Sequence, residues 1–206
     1  DGRRVGTRRD TSAACFSLHG SKSVVAGEGG LVATRNAALA EQVRRLRQHG
    51  VDISAENRGG AEAESYVEIG YNCRMTDVQA AIARVQLRKA DAIVAARRLR
   101  ALRYNEALAD VAMPPLGHAG HAFQRYLLRV ADADTRERLV VGLTDAQIAC
   151  RRGLQVVHRQ PAWTDPKPGL PITERVADTT VQLPLWADMP ESDQARVIEV
   201  VRGLLA

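Results

Sequence analysis

The sequence is poor in aromatic residues and has no long hydrophobic run. Of its 206 residues 4% are aromatic, whereas 45% are hydrophobic and 26% are charged, which is enough apolar material for one or two globular domains. No apolar run approaches the roughly 18 residues that a membrane span requires, and no signal segment opens the chain. We therefore expect a cytoplasmic protein without a membrane partner.

Cysteine is also scarce. The three cysteines are odd in number and far apart in the chain, which fits neither a disulfide framework nor the spacing of metal ligands. We expect reduced thiols and no metal site. The residues concerned are Cys15, Cys73 and Cys150.

The net charge of +5 would permit binding to nucleic acid. The arginines, however, alternate with acidic residues along helical patterns, and few aromatic side chains are available to stack on bases. We interpret the stretches Arg44–Arg47 and Arg97–Arg103 as solvated helix faces and expect no nucleic-acid partner. A nucleic-acid-binding domain, the rival from another class, would require a contiguous arginine surface and steep salt dependence.

Lysine is the least used basic residue, with three among 29. A lysine amine can lose its proton and attack a carbonyl, which a guanidinium cannot do at neutral pH. Lys22, Lys89 and Lys167 are therefore the positions to inspect for covalent chemistry.

Apolar periodicity and turn signals predict strands and helices along the whole chain. Caps are expected at Asn36 and near Thr76, and Pro114-Pro115 ends a long helix or a broken pair of helices. Strands are predicted at Thr11–Leu18, Leu31–Thr34, Gln124–Val130, Gln155–His158 and Val181–Leu183, and helices at residues 36–48, 76–108, Thr135–Ala146, Ile172–Thr179 and Glu191–Leu205.

The alternation of these elements indicates α/β structure over residues 1–112 and a small α+β domain over residues 113–206. The polar segment from Val51 to Glu68 is predicted to be a surface excursion. It could close over a substrate or only decorate the surface.

The segment from Cys15 to Gly30 carries the strongest chemical pattern. Ser17 ends a strand, Lys22 follows five residues later, and a glycine-rich turn then gives the backbone room to pass close to a ligand. A cofactor aldehyde needs an amine, together with a hydroxyl and backbone N–H groups for its phosphate. The alternative from the residues alone is a surface lysine before a hairpin.

This segment resembles the cofactor-lysine motif of the DegT/DnrJ/EryC1/StrS family of pyridoxal-phosphate-dependent sugar aminotransferases. That motif runs approximately Phe-Ser-Phe-His-x-x-Lys-x-x-x-x-Gly-Glu-Gly-Gly. Two later segments resemble further family elements in the same order, so the resemblance covers essentially the whole chain. They are Gly70-Tyr71-Asn72-Cys73-Arg74-Met75-Thr76-Asp77-Val78-Gln79-Ala80-Ala81 with Gln86-Leu87, and Arg151-Arg152-Gly153-Leu154 with His158-Arg159-Gln160-Pro161-Ala162-Trp163 and Leu183-Pro184-Leu185.

The resemblance implies part of the large domain of a fold-type I pyridoxal-phosphate transferase, followed by a small α+β C-terminal domain. It implies that Lys22 bonds to the cofactor and later moves a proton. Ser17 would donate to the cofactor phosphate, and Asn72 would do so from the partner subunit of a homodimer with a shared active site. A helix cap is the alternative for Asn72.

Five further residues are candidate substrate contacts. His19 either lines the pocket or packs as a core histidine, and Arg74 either holds its loop or contacts phosphate or substrate; Tyr71 is equally ambiguous. His158 and Arg159 would lie at the small-domain edge of the cleft, although a lone histidine is more often structural. Glu28 also matches the motif, but no role for it follows from the residues.

The resemblance implies transfer of an amino group, from glutamate, to the keto carbon of a nucleotide-linked deoxysugar in polysaccharide or glycosylated-metabolite synthesis. Lysine at position 22 argues against the relatives that carry histidine there and catalyse dehydration. The family's partner for the ring nitrogen, its ring-stacking residue and much of its phosphate loop lie before the position that corresponds to Asp1. We therefore expect the C-terminal portion of a longer enzyme, inactive in isolation; the alternative is a non-catalytic or regulatory aminotransferase-like protein.

Overall fold

The computed structural model describes residues 5–6, 11–52, 64–117, 120–164 and 169–206. The chain forms two compact units, Asp1–Ala90 and Asp91–Ala206. The domain boundary expected at 112/113 lies just after the helix Ala90–Leu108, whereas the two units divide at the start of that helix. The reason is that Ala101, Tyr104 and Leu108 of the helix belong to the core of the second unit. The assignment of residues to a large and a small domain stays a prediction.

In its described residues the first unit contains a β-hairpin and two helices, and each helix begins at a side-chain cap. Asn36 caps α1 by accepting from the backbone of Leu39 over 3.1 Å. Thr76 and Gln79 form a reciprocal capping box at the start of α2. Both predicted caps are confirmed, and the first two predicted strands pair as a hairpin. The elements are β1 (Ala14–Ser17) and β2 (Gly30–Ala33), which pair antiparallel, α1 (Ala37–Leu46) and α2 (Asp77–Arg88).

A small apolar cluster fixes the loop between β1 and β2. Leu18 and Ala26 from the loop are buried with Ala83 of α2, and Met75 packs against them. Gly29 has a φ of 129°, and a Cβ there would lie 2.4 Å from Cε of Met75. The second glycine of the Gly-Glu-Gly-Gly motif thus contacts the methionine of the Arg-Met-Thr-Asp motif.

The chain after α1 pairs with residues 66–73 through a close approach of two glycines. A Cβ on Gly70 would lie 2.1 Å from the backbone nitrogen of Gly50, and one on Gly50 would lie 1.8 Å from the carbonyl oxygen of Glu68. Only glycine fits at either position. Val51 and Tyr66 form a further antiparallel bridge. Most of the predicted surface excursion, residues 53–63, lies outside the described residues.

The described residues of the second unit form four helices and a 3₁₀ turn, together with a three-stranded antiparallel sheet of order β3-β5-β4. Its core is formed by fully buried aliphatic and aromatic side chains, including Tyr104, Tyr126, Leu128, Leu139 and Val201. The elements are α3 (Ala90–Leu108), β3 (Tyr126–Arg129), α4 (Ala133–Asp145), β4 (Arg151–Arg152), the 3₁₀ turn (Val157–Arg159), α5 (Pro171–Asp178), β5 (Thr180–Leu183) and α6 (Glu191–Leu205).

The predicted strand Gln155–His158 is wrong. The edge strand is β4, and pairing ends at Gly153, which donates to the Thr180 carbonyl over 2.8 Å and would bring a Cβ within 2.5 Å of the Thr180 side chain. The chain then enters the 3₁₀ turn, in which His158 is buried. A buried residue at this position would also be expected if the segment were a strand with His158 facing the core. A short apolar run does not distinguish the two conformations.

The predicted solvated face on α3 is wrong for Arg97. Arg97 is 8% exposed, and its guanidinium donates to the carbonyls of Phe123, Gln124 and Leu185 over 2.9, 2.7 and 3.0 Å. Burial lowers the pKa of Arg97. Arg100 likewise donates twice to the Met189 carbonyl, over 2.9 and 2.7 Å. These arginines bind loop carbonyls, a use that charge alternation does not reveal.

All three cysteines are free thiols. Within the described ranges, no helix combines the length and apolarity needed to cross a bilayer. The same part of the chain contains no cluster of histidine, cysteine and acidic side chains suited to a metal ion.

Candidate cofactor site

The loop that carries Lys22 is held closed by backbone hydrogen bonds. Leu18 donates to Gly29 over 2.9 Å, and Ala26 donates to Leu18 over 2.8 Å. Inside the loop, the N–H of Lys22 donates to the carbonyl of His19 over 2.9 Å, which forms a tight turn just before the lysine side chain. Lys22 is half-buried, and among the described residues no side chain hydrogen-bonds or ion-pairs with its ammonium. Within this part of the chain the amine therefore takes part in no hydrogen bond or ion pair.

Ser17 lies at the end of β1, opposite Gly30 of β2. Its Oγ accepts from the backbone N–H of His19 over 3.3 Å. Because Oγ acts as the acceptor in that bond, its own proton remains available for an outside acceptor. The exposed hydroxyl thus has the chemistry expected of a phosphate contact.

Both ring nitrogens of His19 contact the lysine loop. The backbone N–H of Ser21 lies 3.0 Å from Nδ1, the Ser21 Oγ lies 2.9 Å from the same atom, and Nε2 lies 3.5 Å from Oε1 of Glu28. A backbone N–H can only donate, so Nδ1 must accept and the proton of the neutral ring lies on Nε2, facing Glu28. The sequence did not reveal the pairing of Ser21 and Glu28 with His19; the short polar residue two positions after His19, beside Gly20, was the available signal.

Asn72 does not cap α2, since Thr76 does, so the helix-cap alternative for Asn72 is wrong. Its Oδ1 accepts from Nε of Arg74 over 2.9 Å, and both side chains are exposed. Because guanidinium nitrogens only donate, the contact assigns Oδ1 to the Arg74 side and leaves the amide NH2 as a donor for another group. The exposed Tyr71 ring lies beside this pair in sequence, and its backbone bonds to Leu46 and His49.

His158 and Arg159 make contacts with the acidic residues of α5. The buried His158 has Nε2 2.9 Å from Oε1 of Glu174, and Arg159 donates to Glu174 over 3.1 Å and to both oxygens of Asp178 over 2.7 and 3.1 Å. The His158 and Arg159 hydrogen bonds, with one from the Leu170 backbone, lower the pKa of Glu174 to about 2. These bonds fasten the 3₁₀ turn to α5. A substrate role for His158 and Arg159 stays a prediction.

The groups around the lysine loop fit an aldehyde cofactor that carries a phosphate. The loop provides an unengaged amine at Lys22 and a hydroxyl proton at Ser17, and Asn72, elsewhere in the first unit, provides an oriented amide NH2. The glycines at the end of the loop keep its backbone free of Cβ atoms. Amine, hydroxyl and amide donors are the set that an aldehyde and a phosphate require.

The chain belongs to the DegT/DnrJ/EryC1/StrS aminotransferase family, whose model matches residues 1–202. The family includes pyridoxal-phosphate-dependent sugar aminotransferases. The resemblance inferred from the three motifs is thereby confirmed.

Solved aminotransferases share the fold. The chain is similar to the aminotransferase TlmJ from Streptoalloteichus hindustanus, at 31% identity and a TM-score of 0.86 over 99% of this chain and 54% of that one. DesV from S. venezuelae, in complex with a ketimine intermediate, shows 28% identity and a TM-score of 0.85 over 98% and 53%. The PLP form of the putative sugar aminotransferase Spr1654 from Streptococcus pneumoniae, at 21% identity, has a TM-score of 0.81 over 100% and 55%.

The chain spans about half the length of these solved relatives. Its mixed helix and sheet architecture matches the corresponding half of pyridoxal-phosphate-dependent aminotransferases, which confirms the predicted fold class.

Proposed function

We propose that this chain supplies the cofactor lysine of an aminotransferase that moves an amino group, from glutamate, to the keto carbon of a nucleotide-linked deoxysugar. The observation that carries the proposal is the Lys22 loop, which presents an unengaged amine five residues after the donor-competent hydroxyl of Ser17. The family and the fold support the reaction class. The sugar and the donor are proposed from the family resemblance, as is a cytoplasmic location, where such activated sugars are made.

Pyridoxal phosphate, when bound, supplies an aldehyde and a ring that withdraws electrons from the substrate carbon. Lys22 is the residue that would hold the cofactor aldehyde covalently. Its amine, when free, would accept a proton in one half of the transfer and return it in the other, so one residue would serve as base and acid. Ser17 would donate a hydrogen bond from its hydroxyl to the phosphate.

Asn72 is proposed to donate to the same phosphate from the second subunit of a homodimer. The contact with Arg74 supports this role, because it leaves the amide NH2 as the outward group. A shared active site of this kind makes dimerisation a condition of tight cofactor binding. Dilution of the dimer is then expected to release cofactor.

Two lysine variants of the full-length protein, meaning the natural polypeptide that contains these 206 residues, test the proposal. Lys22→Ala is expected to abolish both the cofactor's bound absorbance band and glutamate-dependent amination of a nucleotide-linked keto-sugar. Lys89→Ala, at the exposed C-cap of α2, is the matched control and is expected to retain both. Amination retained by Lys22→Ala would overturn the proposal.

The regulatory alternative gives a different outcome. A full-length protein that bonds cofactor at Lys22 and yet aminates no keto-sugar nucleotide would support it. For the 206 residues expressed alone we propose no turnover, because they correspond to about half of each solved relative. Amination by the isolated chain would contradict this.

A further inference from the structure

The Lys22 loop contains a contact set that the proposed function does not use. It joins His19, Ser21 and Glu28, here called the His19 clamp. His19 begins the turn that ends at Lys22, whereas Glu28 lies at the far end of the same loop, next to Gly29. One imidazole ring therefore connects the two ends of the segment that carries the lysine.

We propose that His19, with Glu28, is a positioning residue for the Lys22 amine rather than a substrate contact. The proposal rests on the proposed function, since it concerns the lysine of that same site. It also gives Glu28, a motif residue without an assigned role, a physical task.

The Nδ1 side of the ring closes the turn. The Ser21 N–H donates to Nδ1 over 3.0 Å, and the Lys22 N–H donates to the His19 carbonyl over 2.9 Å. These two bonds engage successive N–H groups of the turn. The backbone from which the Lys22 side chain projects is thus held by His19 on two sides.

The Nε2 side connects the turn to the loop's end. With Nδ1 accepting, the neutral ring carries its proton on Nε2, which lies 3.5 Å from Oε1 of Glu28. Glu28 precedes Gly29, whose carbonyl accepts from Leu18 over 2.9 Å at the base of the loop. The base of the loop is packed in the apolar cluster around Leu18. The His19 ring therefore connects the turn before Lys22 to a packed part of the first unit.

Both ring nitrogens are engaged within the loop, which favours a positioning role. A ring that contacted substrate would first have to give up either the hydrogen bond at Nδ1 or the 3.5 Å contact of Nε2 with Glu28. The side chains are half-exposed or more, at 52% for His19 and 75% for Glu28, so solvent weakens their attraction. The contact therefore serves to orient the ring and adds little to stability.

Two substitutions separate the two halves of the clamp. His19→Asn places an amide oxygen where Nδ1 was and can still accept from Ser21, whereas His19→Gln reaches the Nε2 position and can still donate to Glu28. Amide hydrogen exchange at Ser21 in the full-length protein reports the first bond without any catalysis. We expect exchange at Ser21 to accelerate about three- to tenfold in His19→Ala and His19→Gln, as for loss of one ordinary hydrogen bond, and to stay near the wild-type rate in His19→Asn.

The kinetic arm shows whether the clamp acts through Lys22. For His19→Ala we expect kcat to fall about ten- to a hundredfold, as for a misplaced reacting group, with KM for the sugar nucleotide unchanged, and partial recovery in His19→Asn. Glu28→Ala is expected to show a smaller fall that Glu28→Gln largely restores, because an amide oxygen still accepts from Nε2. Glu41→Gln, an exposed carboxylate paired with Arg44 on α1, is the matched control and is expected to match the wild type.

Two results would overturn the proposal. One is unchanged Ser21 exchange in His19→Ala, which would mean that the Nδ1 contact does not hold the turn. The other is a raised KM with unchanged kcat in the His19 variants, which would assign His19 to substrate binding. Failure of the proposed function looks different, because the wild-type protein would then carry no cofactor on Lys22 while the exchange pattern at Ser21 remained.

Discussion

Arg74 donates from Nε to Oδ1 of Asn72 over 2.9 Å, and this contact decides which way the Asn72 amide faces. Before a phosphate binds, an asparagine side chain without a partner can expose either its oxygen or its NH2 group. The bond from Arg74 holds the oxygen on the arginine side, so the NH2 group is the one that can face a phosphate. Asn72 and Arg74 of the second motif therefore act together, because the donor on Asn72 is oriented by the side chain of Arg74.

A double-mutant cycle tests this pair in the full-length protein. Arg74→Ala is expected to weaken pyridoxal phosphate binding about three- to tenfold, the effect of one lost orienting hydrogen bond. In an Asn72→Ala background the same change is expected to have little further effect, because the amide to be oriented is gone. The measurement is the Kd for pyridoxal phosphate. Arg44→Ala, which removes an exposed arginine paired with Glu41, serves as the control.

Additive losses in that cycle would contradict the account. They would show that Arg74 contacts the cofactor or substrate by itself. Repeating the titration with pyridoxal, which lacks the phosphate, should remove the effect of both single variants.

Gly70→Ala is expected to disrupt the pairing between the chain after α1 and residues 66–73. The new Cβ would lie 2.1 Å from the Gly50 nitrogen, and a backbone atom cannot move aside as a flexible side chain would. Overpacking of this kind costs about 1–3 kcal/mol. Amide exchange at Tyr71 and Cys73, whose N–H groups donate to Leu46 and Arg47, should accelerate accordingly.

Gly20→Ala is the control for that substitution. Its Cβ would meet its nearest neighbour at 4.0 Å, an ordinary contact. Equal exchange rates at Tyr71 in Gly70→Ala and Gly20→Ala would show that the glycine contact is not needed.

Local signals in the sequence predicted the elements well where a single residue type decides the conformation. The caps at Asn36 and Thr76 and the closing helix Glu191–Leu205 lie where they were expected, because capping oxygens and helical periodicity act within a few residues. Contacts between distant residues were not predictable in this way. Arg97 reaches the carbonyl of Leu185 across the fold, and nothing near Arg97 in the sequence indicates that partner.

Arg97→Lys is expected to destabilise the second unit. An ammonium lacks the planar fork that serves three carbonyls at once, so at least one buried carbonyl loses its partner, at a cost of about 1–3 kcal/mol. Trp163 and Trp186, the two tryptophans of the chain, both lie in this unit, and their fluorescence in urea follows its unfolding. Arg103→Lys is the control, since the Arg103 side chain is 41% exposed and pairs with Glu191 over 3.6 Å. Equal urea midpoints for the two variants would contradict the role given to Arg97.

The acid stability of the second unit is expected to depend on Glu174. The pKa of this carboxyl is lowered to about 2 by His158 and Arg159, so its ionised form stabilises the folded state. That contribution is complete above the unfolded pKa of about 4.3 and is lost as the pH falls through the folded pKa near 2. In Glu174→Gln the tryptophan-detected urea midpoint should therefore decline less steeply between about pH 5 and pH 2.

The control for this measurement is Glu199→Gln, an exposed carboxylate on α6. It should follow the wild-type curve. If the urea midpoints of Glu174→Gln and the wild type fell equally with pH, the contacts of Glu174 with His158 and Arg159 would not contribute to the pH dependence of stability.

In the candidate site, too, the motifs predicted which residues matter but not the contacts between them. Motif resemblance selected Lys22, Ser17 and Asn72, since each provides a group that the cofactor needs. It did not reveal that Ser21 and Glu28 engage both ring nitrogens of His19, because those bonds depend on the path of the loop. The tautomer of His19 follows only from the direction of the Ser21 N–H.

The covalent bond proposed between Lys22 and the cofactor can be trapped chemically. Borohydride reduction of the full-length protein with pyridoxal phosphate, followed by peptide mapping, identifies the lysine that forms it. We expect a stable pyridoxyl adduct on the peptide that contains Lys22 and none on the peptides that contain Lys89 or Lys167. An adduct on either of those lysines, or none at all, would contradict it.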